Sequence, residues 1–279
     1  AILEQFPMTI TRYYLSLIDW KDPNDPIRRM CIPSTEESDM TGKFDTSGEA
    51  DNTVLPGMQH KYHETVLILS THRCAMYCRH CFRKRLVGIS DDETAGNVEE
   101  MAAYIREHPE INNTLISGGD AFLNNNAVIR RYLELFSDIG HLDFIRFGTR
   151  TPVVLPARIY DDPELLKILE TYSRKKQICV VTQFNHPNEL TKEAKQAVDA
   201  LSRAGVTIKN QTVLLKGVND NAQTMGALLK GLTRFGVSPY YIFQCRPVSG
   251  VGVHFQVPLT EGYRIVEGAK QFQSGPGKC

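Results

Sequence analysis

Cys74, Cys78 and Cys81 stand in one short stretch, "LSTHRCAMYCRHCFRKRL" from Leu69 to Leu86, with the spacing Cys-x3-Cys-x2-Cys. Three thiolates can hold three irons of a [4Fe-4S] cluster, and the fourth iron is then open to a substrate or cofactor. Zinc is the competing reading, with His72 or His80 closing a four-ligand shell. Structural zinc usually joins two knuckles of ligands, and no second Cys-x2-Cys is present. Inert buried thiols are a third reading, but they leave the flanking cations Arg79, Arg83, Lys84 and Arg85 unexplained, and such cations favour thiolate over thiol. The cluster is therefore the expectation, ahead of zinc.

Other residue types point to small-molecule chemistry. In Ser117-Gly118-Gly119-Asp120 two glycines let backbone approach a ligand closely, and Asp120 offers an acceptor for an ammonium group. The plainer reading is a tight turn after a strand. Arg83 follows the last cysteine by two positions, and a planar guanidinium suits bidentate capture of a carboxylate. Lys84 and Arg85 read instead as solvated members of a basic run. Thr149, Arg150 and Gln211 are polar groups in or at the ends of strands, where they line a ligand or only satisfy backbone groups.

Those residues need strands to carry them. After Tyr62, apolar strand-like runs alternate with amphipathic helical ones, the pattern of repeated βα units on a parallel sheet. Strands are predicted at 65–70, 113–117, 143–147, 177–184, 206–213 and 237–243, and helices near 95–108, 125–139, 163–173, 191–204, 222–235 and 261–271. In "LTKEAKQAVDALSRAG" Thr191 caps, Ala194, Ala197, Val198, Leu201 and Ala204 recur at helical spacing, and Gly205 stops the helix. Six units are fewer than a closed eight-unit barrel needs, so an open, partial (β/α)6 barrel is expected, with its chemistry at the carboxyl ends of the strands. Residues 1–60 read as an N-terminal extension of short helices and coil, 61–260 as the barrel, and 261–279 as the start of a C-terminal segment that is truncated.

The chain has 279 residues, a net charge of +0 and 42% hydrophobic residues, which suits one large globular domain with appendages. Balanced charge removes the general electrostatic case for nucleic acid, and no apolar run is long enough to span a bilayer. Cys31, Cys179, Cys245 and Cys279 are scattered rather than paired, so a reducing, cytoplasmic location is expected.

The cysteine loop behind the first strand of such an array resembles the radical S-adenosylmethionine superfamily, and "CAMYCRHCFRKR" resembles its lysine 2,3-aminomutase branch. "ISGGDAF", "RFGTRTPVVLPARI", "FNHPNELT", "NQTVLLKGVND" and "PYYIFQC" resemble that branch in order and spacing, from about Val54 onward. The resemblance implies that Cys74, Cys78 and Cys81 ligate the cluster and that Gly118, Gly119 and Asp120 receive the methionyl amine of S-adenosylmethionine. It places His80 near the adenine, Thr149, Arg150 and Gln211 around nucleoside and substrate, and Arg83 on the substrate carboxylate. The implied reaction begins with an electron passed from cluster to sulfonium, giving a 5′-deoxyadenosyl radical that takes a substrate hydrogen. Pyridoxal 5′-phosphate, joined to the substrate amine, then lets nitrogen move from the α to the β carbon. A small amino acid is the implied substrate and a flavodoxin or ferredoxin the implied electron donor, with room for a homo-oligomer.

Three departures matter. Arg246, in "FQCRPVSG", stands where the lysine enzymes carry an aspartate for the distal ammonium, and cation facing cation is unfavourable. An acidic substrate such as glutamate is therefore expected, unless Arg246 pairs internally with an acidic neighbour. Asn221 replaces a zinc-binding cysteine of the lysine enzymes. The family's cofactor lysine falls beyond Cys279, although Lys278 in "SGPGKC" is tempting. A radical enzyme without pyridoxal phosphate acting on a carboxylated substrate is the second reading, and a non-catalytic zinc module the third.

Overall fold

The computed structural model describes residues 2–94 and 96–278, so Cys279 and the expected helix start at Ala95 lie outside the described residues. One eight-stranded sheet runs in sequence order: β1 (Thr53–Leu55), β2 (Met58–Tyr62), β3 (Thr65–Thr71), β4 (Asn113–Gly118), β5 (Phe144–Gly148), β6 (Gln177–Thr182), β7 (Thr207–Leu214) and β8 (Ser238–Gln244). Strands β3 to β8 are parallel and joined by helical crossovers, the six expected βα units of a partial barrel. No helix among the described residues is long and apolar enough to cross a membrane.

Helix placement follows the apolar spacing. Thr191 accepts from the Ala194 amide, the helix Lys192–Arg203 buries Ala194, Ala197, Val198, Ala200 and Leu201, and the chain leaves it through Gly205 at φ +80°. Asn221 likewise caps the helix Ala222–Phe235 by accepting from Thr224, and Met225, Leu228, Leu229 and Leu232 form its buried stripe. Each such stripe covers one face of the sheet. On β7 the covered residues Ile208, Asn210, Thr212 and Leu214 alternate with the half-buried Lys209, Gln211 and Val213, and β5 repeats the pattern with Arg146 and Gly148 on the less covered side. The sheet thus keeps one face packed and one face partly open.

The N-terminal extension departs from expectation. It contains short helices at Ile2–Gln5, Arg12–Leu15 and Pro26–Cys31, but its end also supplies β1 and β2, which pair antiparallel with each other and with β3. Pro56-Gly57 makes the turn between them, with Gly57 at φ +73°, a turn signal readable in the sequence. The strands themselves lack alternation: Met58 and Gln59 are both buried, and Thr53 and Val54 are both exposed.

Candidate active site

The loop leaving β3 carries Cys74, Cys78 and Cys81, all free and half-buried. The Cys81 amide donates to the Cys78 carbonyl at 3.0 Å. Cys74 lies within electrostatic reach of Asp120, Cys81 and Cys78, so the three thiols share one neighbourhood where β3 and β4 end. Among the described residues no group of His, Cys, Asp or Glu closes tightly enough for a single metal ion. A cluster asks for a different arrangement, since each thiolate binds its own iron and the sulfurs stand wider than the ~3.8 Å of tetrahedral zinc. The three thiols lie on one loop and in one electrostatic neighbourhood, which is what a cluster held by one thiolate per iron requires.

Charge fixes the loop in place. Arg79 is buried, donating Nε to Glu37 at 3.0 Å and Nη2 to its other oxygen at 2.5 Å, while Nη1 meets the Pro7 carbonyl at 2.8 Å. Lys84 Nζ donates to the same carboxylate at 2.6 Å and to the carbonyls of Arg79 and Gly250. Arg83 and Arg85 share Glu49, at 2.8 Å and 2.7 Å, and Arg85 also pairs with Glu93. Backbone bonds from Tyr77 to Thr9 and from Arg79 to Met30 complete the attachment. Lys84 is thus buried rather than solvated, and Arg85 is largely covered; the reason is that the N-terminal segment brings two carboxylates underneath the run. Glu37 arrives through a capping box with Ser34.

The same neutralisation corrects the thiolate argument. Burial raises Cys74 well above its ordinary value, with the neighbouring Asp120, Cys81 and Cys78 adding to it, and burial pushes Cys81 up to about 11. Flanking cations already paired with Glu37 and Glu49 do not hold these thiols ionised. A bound metal does so directly, because its ligands must be deprotonated.

Of the sequence-predicted residues, Gly118, Gly119, Asp120, Thr149, Arg150, His80 and Arg83 lie on or against the cysteine loop and the ends of β4 and β5, with unequal freedom. Gly118 and Gly119 are needed for protein contacts: a Cβ at Gly118, φ +106°, would lie 2.4 Å from the Thr71 carbonyl, and one at Gly119 would lie 2.4 Å from that of Arg73. Their close approach is to the cysteine loop's own backbone. Asp120 is buried and fully engaged, one oxygen accepting from Thr149 at 2.5 Å and Phe122 at 3.1 Å, the other from the Arg150 amide at 2.7 Å. Burial raises its pKa, although those hydrogen bonds oppose the rise. Both oxygens of Asp120 are thus already engaged within the protein, and the backbone carbonyls beside it are further acceptors for an ammonium. Thr149 is spent on Asp120 and on Thr151 at 2.8 Å.

His80 is buried edge-on to Phe255, with rings 5.8 Å apart and Nε2 3.3 Å from the Asn185 amide nitrogen. Its Nδ1 is buried with no partner, and burial, aided by Arg150, lowers its pKa to about 3. Gln211 is half-buried on the open face, paired in register with Tyr241 and two residues beyond Lys209, which faces Val181 of β6. Arg150 turns toward the thiols and reaches Cys78 Sγ at 2.9 Å.

Arg83 and Arg246 are brought to one ring. Arg83 stacks on Phe82 at 4.6 Å, and Arg246 lies over the same ring at 5.7 Å. Arg83 spends Nε and Nη2 on Glu49, and its Nη1 makes only long contacts, 3.5 Å to Ser117 Oγ and 3.3 Å to the Gly118 carbonyl. Arg246 is exposed, with Nη1 on the Thr46 carbonyl at 2.9 Å and no ion pair among the described residues. Sequence reasoning missed Glu37, Glu49, Glu189 and Tyr14, whose partners lie 34 to 175 residues away. The capping boxes at Ser34–Glu37 and His186–Glu189 are the local signals that single out two of them.

A parallel partial barrel with a Cys-x3-Cys-x2-Cys loop at the carboxyl end of its first parallel strand defines a class, and the family model of the radical SAM superfamily matches residues 68–228. The chain belongs to that superfamily. It is 43% identical over 276 residues to a protein of Aquifex aeolicus (strain VF5) provisionally assigned as an L-lysine 2,3-aminomutase, covering 98% of this chain and 74% of that one. It is 42% identical to the L-lysine 2,3-aminomutase of Clostridium subterminale and 39% identical to the glutamate 2,3-aminomutase of Clostridioides difficile (strain 630), covering 96% and 97% of this chain. Within the superfamily it is a member of the lysine 2,3-aminomutase family, whose cofactors are a [4Fe-4S] cluster, S-adenosylmethionine and pyridoxal phosphate. The chain spans 64% of the length of the Clostridium subterminale enzyme and 63% of that of the Clostridioides difficile enzyme.

Proposed function

We propose that this protein is a radical S-adenosylmethionine 2,3-aminomutase for an α-amino acid with an acidic side chain, such as glutamate. The observation that carries the substrate class is Arg246, an exposed guanidinium with no ion-pair partner among the described residues, sharing the Phe82 ring with Arg83 beside the cysteines. Two cations over one ring suit a substrate with two carboxylates, and an Arg246 already paired with an acid would have spoken against it. The neighbouring thiols of Cys74, Cys78 and Cys81 support the reading in which they hold the cluster.

Bound there, the cluster and S-adenosylmethionine supply the one-electron chemistry that starts hydrogen abstraction. The chain's own residues hold and orient. Arg83 is fixed by Glu49 through Nε and Nη2, leaving Nη1 for a substrate carboxylate, while Arg85 shares the charge of Glu49 so that the pair does not repel an anion. Backbone around Ser117 to Gly119 offers acceptors to an amine, and His80 Nδ1 is a buried polar atom left for a ligand. Glu37 keeps Arg79 and Lys84 neutralised below the loop, which holds the thiols in place.

Pyridoxal phosphate comes with the family, but Lys278 does not make its anchor: it is exposed, and its described bond is a backbone one to Gly275. A flavodoxin or ferredoxin is the proposed electron donor. Full-length protein, reconstituted anaerobically with iron and sulfide and supplied with both organic cofactors and a reductant, is expected to convert glutamate to a β-amino isomer detected by mass spectrometry. Conversion of lysine but not glutamate, or unchanged selectivity in Arg246→Asp, rejects the acidic substrate. A protein containing zinc alone, without iron and acid-labile sulfide, rejects the enzyme reading.

A further inference from the structure

Arg150, at the carboxyl end of β5, is buried and divided among several acceptors. Nε donates to the Gln183 carbonyl at 2.9 Å, Nη2 to Glu189 at 2.5 Å and to Tyr14 Oη at 3.3 Å, and Nη1 to Cys78 Sγ at 2.9 Å. Glu189 is itself immobilised, accepting from the Asn185 and His186 amides at 2.5 Å and 3.0 Å and from the Tyr14 hydroxyl at 2.6 Å. The fork therefore cannot swing away from the sulfur without breaking the other bonds. Neutralising Glu189 requires only one edge of a guanidinium, so stability alone leaves the third edge unexplained. Among the described residues, Cys78 is the one cysteine of the trio that receives a side-chain donor.

We propose that Arg150 is a positioning residue that raises the reduction potential of the cluster by donating a charge-assisted hydrogen bond to the Cys78 thiolate, with Glu189 and Tyr14 fixing its direction. This rests on the reading of Cys74, Cys78 and Cys81 as cluster ligands. Reduction adds one electron to the cluster, supplied from outside by a one-electron donor, and part of that charge falls on the ligating sulfurs. A donor aimed at one sulfur stabilises the reduced form more than the oxidised one, and hydrogen bonds to sulfur are among the levers that set such potentials. Glu189 tempers the effect by cancelling the net charge while leaving the N–H in place.

The test uses the full chain, wild type and two variants, reconstituted anaerobically and assayed for iron and acid-labile sulfide. Arg150→Lys keeps a cation for Glu189 but loses the fork; Arg150→Met combined with Glu189→Gln removes both charges, so that no buried carboxylate is left unpaired. Each is titrated with dithionite in the presence of mediators while electron paramagnetic resonance follows the reduced cluster. In variants with wild-type iron and sulfide, the ratio of reduced to oxidised cluster at a fixed potential is expected to fall at least tenfold, a downward shift of about 59 mV for one electron. An unchanged midpoint in a cluster-loaded variant overturns the proposal. Should neither variant fold, wild type carrying guanidino-15N arginine decides: a 15N coupling to the reduced cluster is expected, and its absence overturns the proposal. A wild type without iron and sulfide fails earlier and differently, by removing the cluster reading itself.

Discussion

From β3 to β8 the chain is positioned by apolar surface, whereas from the N-terminus through the cysteine loop buried ion pairs are added to apolar residues such as Ile27, Met30 and Met76. In the first region, each helix buries a stripe such as Met225, Leu228, Leu229 and Leu232, and each fully buried Leu contributes about 1.5–3 kcal/mol. In the second, Glu37 sits under Arg79 and Lys84, and Glu49 under Arg83 and Arg85. The two means of positioning fail differently. An apolar stripe loses stability in proportion to the atoms removed, but a buried ion network loses much of it when one partner goes, because the remaining charges stay buried without compensation.

The sharpest way to break this contrast is Glu37→Gln. It strands Arg79 and Lys84, and a loss of about 3–5 kcal/mol is expected in chemical denaturation, with iron retention on reconstitution falling in step. A loss under about 1 kcal/mol would mean that the network contributes little and that the loop is held by its backbone bonds to Thr9 and Met30. Leu228→Ala probes the other region, with an expected cost of about 3 kcal/mol. Here iron per folded chain is expected to match wild type, since the helix Ala222–Phe235 packs on β8 and the helix Leu259–Lys270, five strands along the sheet from β3, which carries the cysteine loop.

That division also separates what the sequence discloses from what it hides. All six parallel strands lie within about two residues of where periodicity puts them, and the helices 163–173 and 222–235 match their expected bounds. Periodicity and caps are local, so one chain is enough to read them. The cysteine spacing is local too. The counter-charges are not: nothing near Glu37 tells that Arg79, 42 residues on, will lie against it. Asp120 shows the same blindness in reverse, since its type suggested a ligand acceptor while Thr149, Phe122 and the Arg150 amide claim both oxygens. A residue type states what a side chain can do, and only the fold states what has already been done with it.

Acid is a gentler probe of the charged region. Burial opposes ionisation of Glu37 and Glu49, but hydrogen bonds and charge from Arg79 and Lys84, and from Arg83 and Arg85, outweigh it and hold both carboxyls below their ordinary value of 4.5. A carboxyl depressed on folding contributes stability that is present above its unfolded pKa and lost as pH falls through the folded one. Hydrogen exchange at the amides of residues 76–86 is therefore expected to quicken as pH drops below about 4.5, after correction for intrinsic exchange, ahead of the helix Lys192–Arg203. Simultaneous loosening of both would remove the distinction between them.

The smallest effect falls where the two regions meet. Thr191 accepts from the Ala194 amide at 3.1 Å as the helix cap, and its hydroxyl also contacts Tyr13 Oη of the N-terminal segment at 2.5 Å. Thr191→Ala removes both bonds and is expected to cost about 1 kcal/mol, the usual value of a lost cap. Tyr13→Phe removes only the second, between partly exposed groups, and a cost of about 0.5 kcal/mol is expected in the same denaturation assay. Were Tyr13→Phe to equal Thr191→Ala, the cap would contribute nothing beyond the tether, and the helix would owe its start to the apolar stripe of Ala194, Ala197 and Val198 instead.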